Sequence, residues 1–319
     1  MKQCFPKLNI VLSSCLEGRT CRYNGRHAKD SFVCLALSSF AEFIVFCPES
    51  EVIGIPREPI NLFRIDETIQ VLGSETNINY TAELDAYNET FIEGLGSLDI
   101  DAAIVKSKSP SCGLHSIKVH PELGSWQAEV DGFDQGLFSK ALQRNMPHIA
   151  IIDEQQLQEV GLREAFLIQA FALARWHKLK KTQPLLSELQ NFHRDTKYLL
   201  MAKSPETYKT LGAAIANVNP FEMGALVEQY QDAYYSAMAE PLQKGRLVNA
   251  MDHMLGYFKS QITKSEREVY SETVDRFREG EATVLELSKL IQLLLSQYGS
   301  PYLSTQYLLH PYPEALMTR

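Results

Sequence analysis

The stretch Leu8-Asn-Ile-Val-Leu-Ser-Ser-Cys15 decides the fold of the first half of the chain. Its apolar run, Leu8–Leu12, predicts a buried β-strand that stops before a cysteine, and a polar loop over residues 17–30 follows. A second apolar run, Phe43–Phe46, ends at Cys47-Pro48, where proline cannot donate to a β-ladder. Both runs therefore predict strands that have a cysteine directly beyond their carboxyl ends.

The remainder of the first half alternates further strands with amphipathic segments. We predict strands at Ala102–Val105 and Ile149–Ile152, and helices at Asp30–Phe40, Tyr80–Gly94 and Phe133–Arg144. Such alternation is typical of an α/β domain with a Rossmann-like parallel sheet and helices on both faces. Ligands bind beyond the carboxyl ends of the strands in these sheets, so Cys15, Cys47 and the segment Ser107–Cys112 are expected to meet at one edge.

The second half has the pattern of helices alone, from about residue 155 onward. Helices are predicted at Leu185–Met201, Pro205–Ala216, Phe221–Ala239, Leu247–Ile262 and Val284–Tyr298. A capping box of Ser265 with Glu268 predicts one more helix, which runs through Phe277. We therefore divide the chain into an α/β domain, residues 1–160, and an all-α domain, residues 161–319.

Composition and charge exclude several classes of protein. The formal net charge of -8 over 319 residues argues against a general nucleic-acid binder, so no duplex is expected as a partner. No run approaches the roughly 18 apolar residues of a membrane helix. Leu12-Ser-Ser-Cys15 resembles a lipoprotein cleavage box, but the apolar segment Leu8–Leu12 is too short for a signal peptide. We therefore expect a cytoplasmic protein that does not span a membrane.

The cysteines are concentrated at one end of the chain. All but Cys112 of the 6 cysteines lie in the first fifty residues. Without an export signal, disulfides are not expected, and grouped cysteines favour metal binding or catalysis. The absence of a Cys-x-x-Cys motif argues against a zinc ribbon or a ferredoxin-type cluster site. Spacing alone leaves three interpretations open: a metal or cluster site, a catalytic or redox cysteine, and buried structural thiols.

Several motifs resemble those of a known family. They are Val11-Leu-Ser-Ser-Cys-Leu-Glu-Gly18, Cys21-Arg-Tyr-Asn-Gly25, Phe46-Cys-Pro-Glu49, Ile55-Pro-Arg57 and Lys106-Ser-Lys-Ser-Pro-Ser-Cys-Gly113. Together they resemble the motif series of the thiouracil desulfidase (TudS, DUF523) family, from residue 8 to about residue 160. The second half, with Leu200-Met-Ala-Lys-Ser-Pro-Glu-Thr-Tyr208, resembles the helical DUF1722 domain. The segment Val52–Arg57 departs from the family pattern, in which a glycine pair is usual.

The resemblance implies a cofactor and a reaction. Cys15, Cys47 and Cys112 would hold a [4Fe-4S] cluster whose fourth iron has no protein ligand. The open iron would act as a Lewis acid for the soft sulfur of a thiocarbonyl group. The implied activity is hydrolytic rather than redox: a hydrolase-like desulfidase converts thiouracil or 4-thio-UMP to uracil or UMP plus sulfide. The implied partner is thus a small thiolated pyrimidine base or nucleotide.

The same resemblance suggests which side chains serve the reaction. Glu49 and Ser109 are the catalytic candidates, Glu49 as the acid/base and Ser109 as the group that orients substrate or water. The substrate-binding candidates are Arg22, Arg57, Lys106, Ser107 and Ser111. Structural alternatives stay open for all of them: a helix-start carboxylate for Glu49, plain Ser-Pro turns for the serines, and ion pairs with Glu17 or Glu58 for the cations.

Two other functions remain alternatives. The first is an oxygen- or redox-sensing iron-sulfur protein that uses the same three cysteines without turnover. The second is an interaction protein with inert cysteines. Cys21, inside a matched motif but outside the ligand set, is interpreted as structural or redox-exposed. The oligomeric state is left open.

Overall fold

The chain folds into two compact units. A computed structural model describes residues 5–121, 130–219 and 222–317. The first unit is Lys7–Glu159, and the second contains the residues from Val160 onward together with Phe5 and Pro6. The first unit contains the strands, and the second is built from helices.

The first unit alternates strands and helices. Its described strands are β1 (Leu8–Ser13), β2 (Ala41–Phe46), β3 (Ile60–Ile65), β4 (Thr68–Gly73), β5 (Ala102–Val105), β6 (Ile117–His120), β7 (Phe133–Asp134) and β8 (Ala150–Asp153). Its described α-helices are α1 (Ser14–Glu17), α2 (Pro48–Val52), α3 (Thr81–Leu95) and α4 (Leu137–Asn145). The four strands and the helix after Tyr80 that the sequence predicts are confirmed, with ends that differ by two residues at most.

The main sheet has the strand order β2-β1-β5-β8, and all its neighbouring strands are parallel. The chain leaves β1 to form β2 on one side and returns to form β5 on the other side. β1 and β5 therefore flank a topological switch point, where a crevice opens at the carboxyl ends of the strands. Helices α3 and α4 cover the sheet through a core that contains Val11, Ala103, Ile92 and Phe138. This architecture confirms the predicted α/β class.

A second sheet, with the order β4-β3-β6-β7, is absent from the sequence prediction. Strands β3 and β4 form an antiparallel hairpin, β3 pairs with β6 in parallel, and β6 pairs with β7 in antiparallel fashion. The hairpin turns at Asp66 and Glu67, which both have positive φ angles, of 46° and 62°. This sheet supplies one wall of the cavity described below.

Two predicted helices of the first unit need correction. Asp30–Phe40 does not form an α-helix: Phe32–Ala36 is a π-helical turn and Leu37–Ser39 a 3-10 turn. Val33 and Leu37 are still buried four residues apart, while Leu35 is 76% exposed. The helix predicted from Phe133 begins at Leu137 instead, because Phe133–Asp134 pairs with β6.

The second unit is all-helical over its described residues. Its α-helices are α5 (Val160–Lys180), α6 (Leu186–Lys203), α7 (Pro205–Ala216), α8 (Met223–Ala239), α9 (Lys244–Leu255), α10 (Lys264–Glu279) and α11 (Val284–Tyr298). The predicted start of α8, Phe221, lies outside the described residues. None of the described helices combines the length and apolar composition that crossing a bilayer requires.

Helices α9 and α10 show the clearest differences from the predicted boundaries in this unit. The capping box of α10 is Thr263 with Glu266 rather than Ser265 with Glu268, so the helix begins at Lys264. Helix α9 ends at Leu255, and a 3-10 turn follows it. In both cases the periodic apolar pattern is correct and only the boundary is misplaced.

A buried lysine joins the ends of two helices in the second unit. Lys203, the last residue of α6, is 3% exposed. Its Nζ donates to the carbonyl oxygens of Met238 at 3.0 Å and of Glu240 at 2.6 Å. Burial lowers the pKa of Lys203 to about 8. The side chain thus satisfies carbonyls at the end of α8 that the helix itself leaves unpaired.

Candidate functional site

A cavity of about 690 Å³ lies at the carboxyl ends of β1, β2 and β5. Cys15, Cys47 and Cys112 all line it. Each follows one of the three strands: Cys15 lies in α1, Cys47 precedes the first residue of α2, and Cys112 lies in the loop after β5. The parallel sheet therefore brings together three thiols from distant positions in the sequence.

The three thiols are largely shielded from solvent. Cys15 and Cys112 are 7% and 5% exposed, Cys47 is half-buried, and all three are free. A hydrogen bond with Cys21 and then burial raise the pKa of the Cys47 thiol. Burial, with a contribution from Glu49, raises the pKa of the Cys112 thiol. The site therefore favours the neutral thiols of Cys47 and Cys112.

Among the residues that the structure describes, no group of three or more His, Cys, Asp or Glu side chains is arranged to hold a metal ion.

A buried chain of polar contacts joins Glu49 to Ser109. The guanidinium of Arg57 donates to Glu49 Oε2 at 2.8 Å, and Ser109 Oγ donates to Glu49 Oε1 at 2.8 Å. Ser109 Oγ also accepts from the backbone N–H of Cys112 at 3.1 Å. Arg57 donates through its other terminal nitrogen to the carbonyl oxygen of Cys21 at 2.9 Å. Glu49, Ser109 and Arg57 all line the cavity, where Arg57 holds the carboxylate of Glu49 in place.

Glu154, which the sequence analysis missed, forms hydrogen bonds with both Lys106 and Ser107. Lys106 Nζ contacts Glu154 Oε1 at 2.5 Å and donates to the Ser107 carbonyl and hydroxyl oxygens at 3.0 Å each. Ser107 donates to Glu154 through its N–H at 2.8 Å and its hydroxyl at 2.6 Å. Burial alone would raise the pKa of Glu154, but these hydrogen bonds hold it below its usual value. The three N–H groups of Lys106 are thus used within the protein.

The other two substrate-binding candidates are placed differently. Arg22 lines the cavity, and its guanidinium lies 5.9 Å from the ring centre of the exposed Tyr23. Ser111 is fully buried and is not part of the cavity wall, and its hydroxyl has no hydrogen-bond partner among the described residues. Lys108 and Lys118, which the sequence analysis did not single out for binding, also line the cavity.

A close backbone approach shapes the loop that carries Cys112. Gly136, before α4, lies so near this loop that a Cβ atom would sit 2.5 Å from the carbonyl carbon of Ser111 and 2.7 Å from Cys112 N. The N–H of Phe138 donates to the Ser111 carbonyl at 2.8 Å. Only glycine fits this position without displacement of the loop.

Comparison with known proteins places these residues in a family. A model of the 2-thiouracil desulfurase family matches residues 10–154. The uncharacterized protein YbbK of Bacillus subtilis (strain 168) is 33% identical over 114 residues, which are 33% of this chain and 72% of YbbK. The chain belongs to the 2-thiouracil desulfurase family. The matched range contains Cys15, Cys47, Cys112, Glu49 and Ser109.

The second half of this desulfurase-family chain matches a different family model. Residues 197–313 match the protein family of unknown function DUF1722. The uncharacterized protein YbgA of Escherichia coli (strain K12) is 26% identical over 157 residues, which are 49% of this chain and 93% of YbgA. The family resemblance inferred from the motifs is therefore confirmed for both halves.

A solved structure is also similar to part of this family member. The structure, of a [4Fe-4S]-dependent thiouracil desulfidase named TudS, is 28% identical in sequence. The match covers 48% of this chain and 95% of that chain, with a TM-score of 0.37.

Proposed function

We propose that this protein removes sulfur from thiolated pyrimidines, with Cys15, Cys47 and Cys112 as the ligands of a [4Fe-4S] cluster. One observation carries the proposal: three free thiols and a hydrogen-bonded Glu49–Ser109 pair line a single cavity in a member of the desulfurase family. The cavity of about 690 Å³ is within the usual size range of a small-molecule site.

The donor set fits an iron-sulfur cluster. Thiolates are the soft ligands that such clusters use. The free thiols of Cys15, Cys47 and Cys112, which line one cavity, supply this donor set. A cluster held by three thiolates would supply an open iron, a Lewis acid for the sulfur of a thiocarbonyl group.

Glu49 is the residue that we propose to hold the proton of the attacking water. Its side chain is 15% exposed and faces the cavity, so its carboxylate can accept from a water while Arg57 and Ser109 fix its orientation. The water oxygen adds to the thiocarbonyl carbon and the carbon–sulfur bond breaks. The C=S group and water thus become a C=O group and hydrogen sulfide, with no net oxidation.

The cationic side chains around the cavity indicate which kind of substrate the site could bind. Arg57 and Lys106 face Glu49 and Glu154, so we assign them to positioning rather than to substrate binding. Arg22, Lys108 and Lys118 line the same cavity and suit the phosphate of a thiolated nucleotide such as 4-thio-UMP. The free thiols fit our expectation of a cytoplasmic, reducing setting for this activity.

The test is the loss of thioketone absorbance from 4-thiouracil and 4-thio-UMP under anaerobic conditions. Reconstituted wild-type protein is compared with Cys47→Ala and with Cys34→Ala, a half-buried cysteine that is not part of the cavity wall. We expect turnover by the wild type and Cys34→Ala and none by Cys47→Ala. Absence of turnover by a wild-type protein with full iron content would overturn the proposal and favour a sensor that does not turn over.

A further inference from the structure

Cys21 adds a fourth thiol to the wall of the cavity. It is 7% exposed, and it lines the same cavity as Cys15 and Cys47. The sulfur of Cys47 also lies 3.8 Å from the carbonyl oxygen of Cys21. The proposed reaction assigns no role to Cys21, so its position against two proposed cluster ligands needs another explanation.

The backbone around Cys21 holds this thiol in place. Arg57 donates to the Cys21 carbonyl at 2.9 Å from a side chain that is itself only 2% exposed. Directly after Cys21, Gly25 N–H donates to the Arg22 carbonyl at 2.9 Å and closes a tight turn. Cys21 is therefore a fixed neighbour of Cys47 rather than a chance contact of a loose loop.

Ligand thiols that lose their metal are open to oxidation. Peroxide converts a cysteine to a sulfenic acid, which a second thiol can trap as a disulfide before irreversible oxidation to sulfinic acid. Exposure favours the first step, and Cys47 is more exposed than Cys15 or Cys112. The trapping step requires a second thiol beside Cys47, and Cys21 lines the same cavity with its carbonyl oxygen 3.8 Å from the Cys47 sulfur.

We propose that Cys21 is a resolving cysteine that protects Cys47 when the cavity holds no cluster. The inference rests on the proposed role of Cys47 as a cluster ligand. Hydrogen peroxide oxidises Cys47 to a sulfenic acid and is reduced to water. The thiol of Cys21 then attacks that sulfur, a disulfide forms and a second water leaves. A dithiol reductant reverses the bond and returns both thiols, so the cavity can accept a new cluster.

The experiment uses the full-length protein after anaerobic removal of iron with a chelator. The protein is exposed to hydrogen peroxide, alkylated, digested and examined by mass spectrometry. A second portion is reduced with dithiothreitol and reloaded with iron and sulfide, and its iron content is measured. Cys21→Ser and Cys21→Ala are compared with the wild type, and Cys34→Ser, away from the cavity wall, is the control.

We expect a peptide pair linked through Cys21 and Cys47 in the wild type and in the control, with iron binding restored after reduction. In both Cys21 variants we expect Cys47 as sulfinic acid and the loss of most reloaded iron. A free Cys21 beside a sulfinic Cys47 in the wild type, or a disulfide of Cys47 with any other cysteine, would overturn the inference. The disulfide measured by mass spectrometry and the iron content do not depend on turnover. Failure of the desulfidase assay alone would therefore refute only the proposed function.

Discussion

Arg57 and Glu49 form a buried ion pair in the cavity wall, and breaking it tests how the proposed base is held. Their side chains are 2% and 15% exposed, and the donor–acceptor distance is 2.8 Å. The perturbation is a double-mutant cycle of Arg57→Met, Glu49→Gln and the two together. Each single variant leaves one charged partner without its counter-ion in a poorly hydrated position. The double variant contains neither charge.

The magnitude follows from burial and from the contacts that are lost. Removal of one partner of a buried pair costs about 3–5 kcal/mol. Arg57→Met also deprives the Cys21 and Gly54 carbonyls of a donor, while Glu49 retains its bond from Ser109. We expect a loss of about 4 kcal/mol for Arg57→Met and about 3 kcal/mol for Glu49→Gln. The double variant should lose about 2 kcal/mol less than the sum of these.

The assay is urea unfolding of metal-free, reduced protein, followed by circular dichroism. Arg64→Met is the matched control, because it breaks an ion pair with Asp131 whose side chains are both 43% exposed. An exposed pair of this kind contributes at most about 1 kcal/mol. A coupling energy below about 0.5 kcal/mol, or an Arg57→Met loss no larger than that of Arg64→Met, would refute the reasoning.

Three further predictions concern other parts of the chain. Glu154→Gln removes the charge opposite Lys106. We expect the turnover rate to fall about tenfold, which corresponds to about 1.4 kcal/mol, while the iron content stays unchanged. Steady-state kinetics and iron analysis of the same preparation test this. Gly136→Ala forces a Cβ against Ser111, so we expect a loss of about 1–3 kcal/mol in urea unfolding and less bound iron. Gly224→Ala is the control: its added Cβ would meet no atom within 4 Å, so we expect neither a loss of stability nor a loss of bound iron. Lys203, with a pKa of about 8 when folded and about 10.4 when unfolded, binds more protons in the unfolded chain between these values. The contribution of Lys203 to stability should therefore rise from pH 8 to 10, by up to about 3 kcal/mol, measured as the difference in urea unfolding between the wild type and Lys203→Met at each pH.

The strands of the main sheet were predictable because their signal is local. Leu8–Leu12 and Ala102–Val105 are short apolar runs, and the structure buries most of their residues completely. A cysteine or serine directly after such a run must emerge at the carboxyl edge, whatever the loops do. The shared position of Cys15 and Cys47 on one cavity follows from that rule, whereas the position of Cys112 also depends on the loop after β5.

The second sheet was missed because its turn carries no recognisable signal. Asp66 and Glu67 both adopt positive φ in the β3–β4 hairpin, where Asn-Gly or Asp-Gly would be the usual sequence. The residues of β6 that pair in parallel with β3, Val119 and His120, are more than fifty positions away along the chain. No periodicity in a short window could connect them.

Glu154 was missed for a different reason, since its partner is set by strand register. Val105 pairs with Asp153 in the main sheet, so the next residues, Lys106 and Glu154, emerge side by side. Alignment of the two predicted strands from their carboxyl ends places Lys106 beside Asp153, one residue short of Glu154. The pair is recognisable only once the observed strand end at Asp153 sets the register.

Cys15, Cys47 and Cys112 follow three different strands, and this affects when a cluster could bind relative to folding. Residues 15, 47 and 112 are far apart in the unfolded chain and meet only once β2, β1 and β5 have paired. The proposed cluster would therefore bind after the sheet has formed, unlike the zinc of a small finger domain, which organises its fold. The protein without the cluster would then already be folded, so the sheet and the cluster could be lost in separate steps.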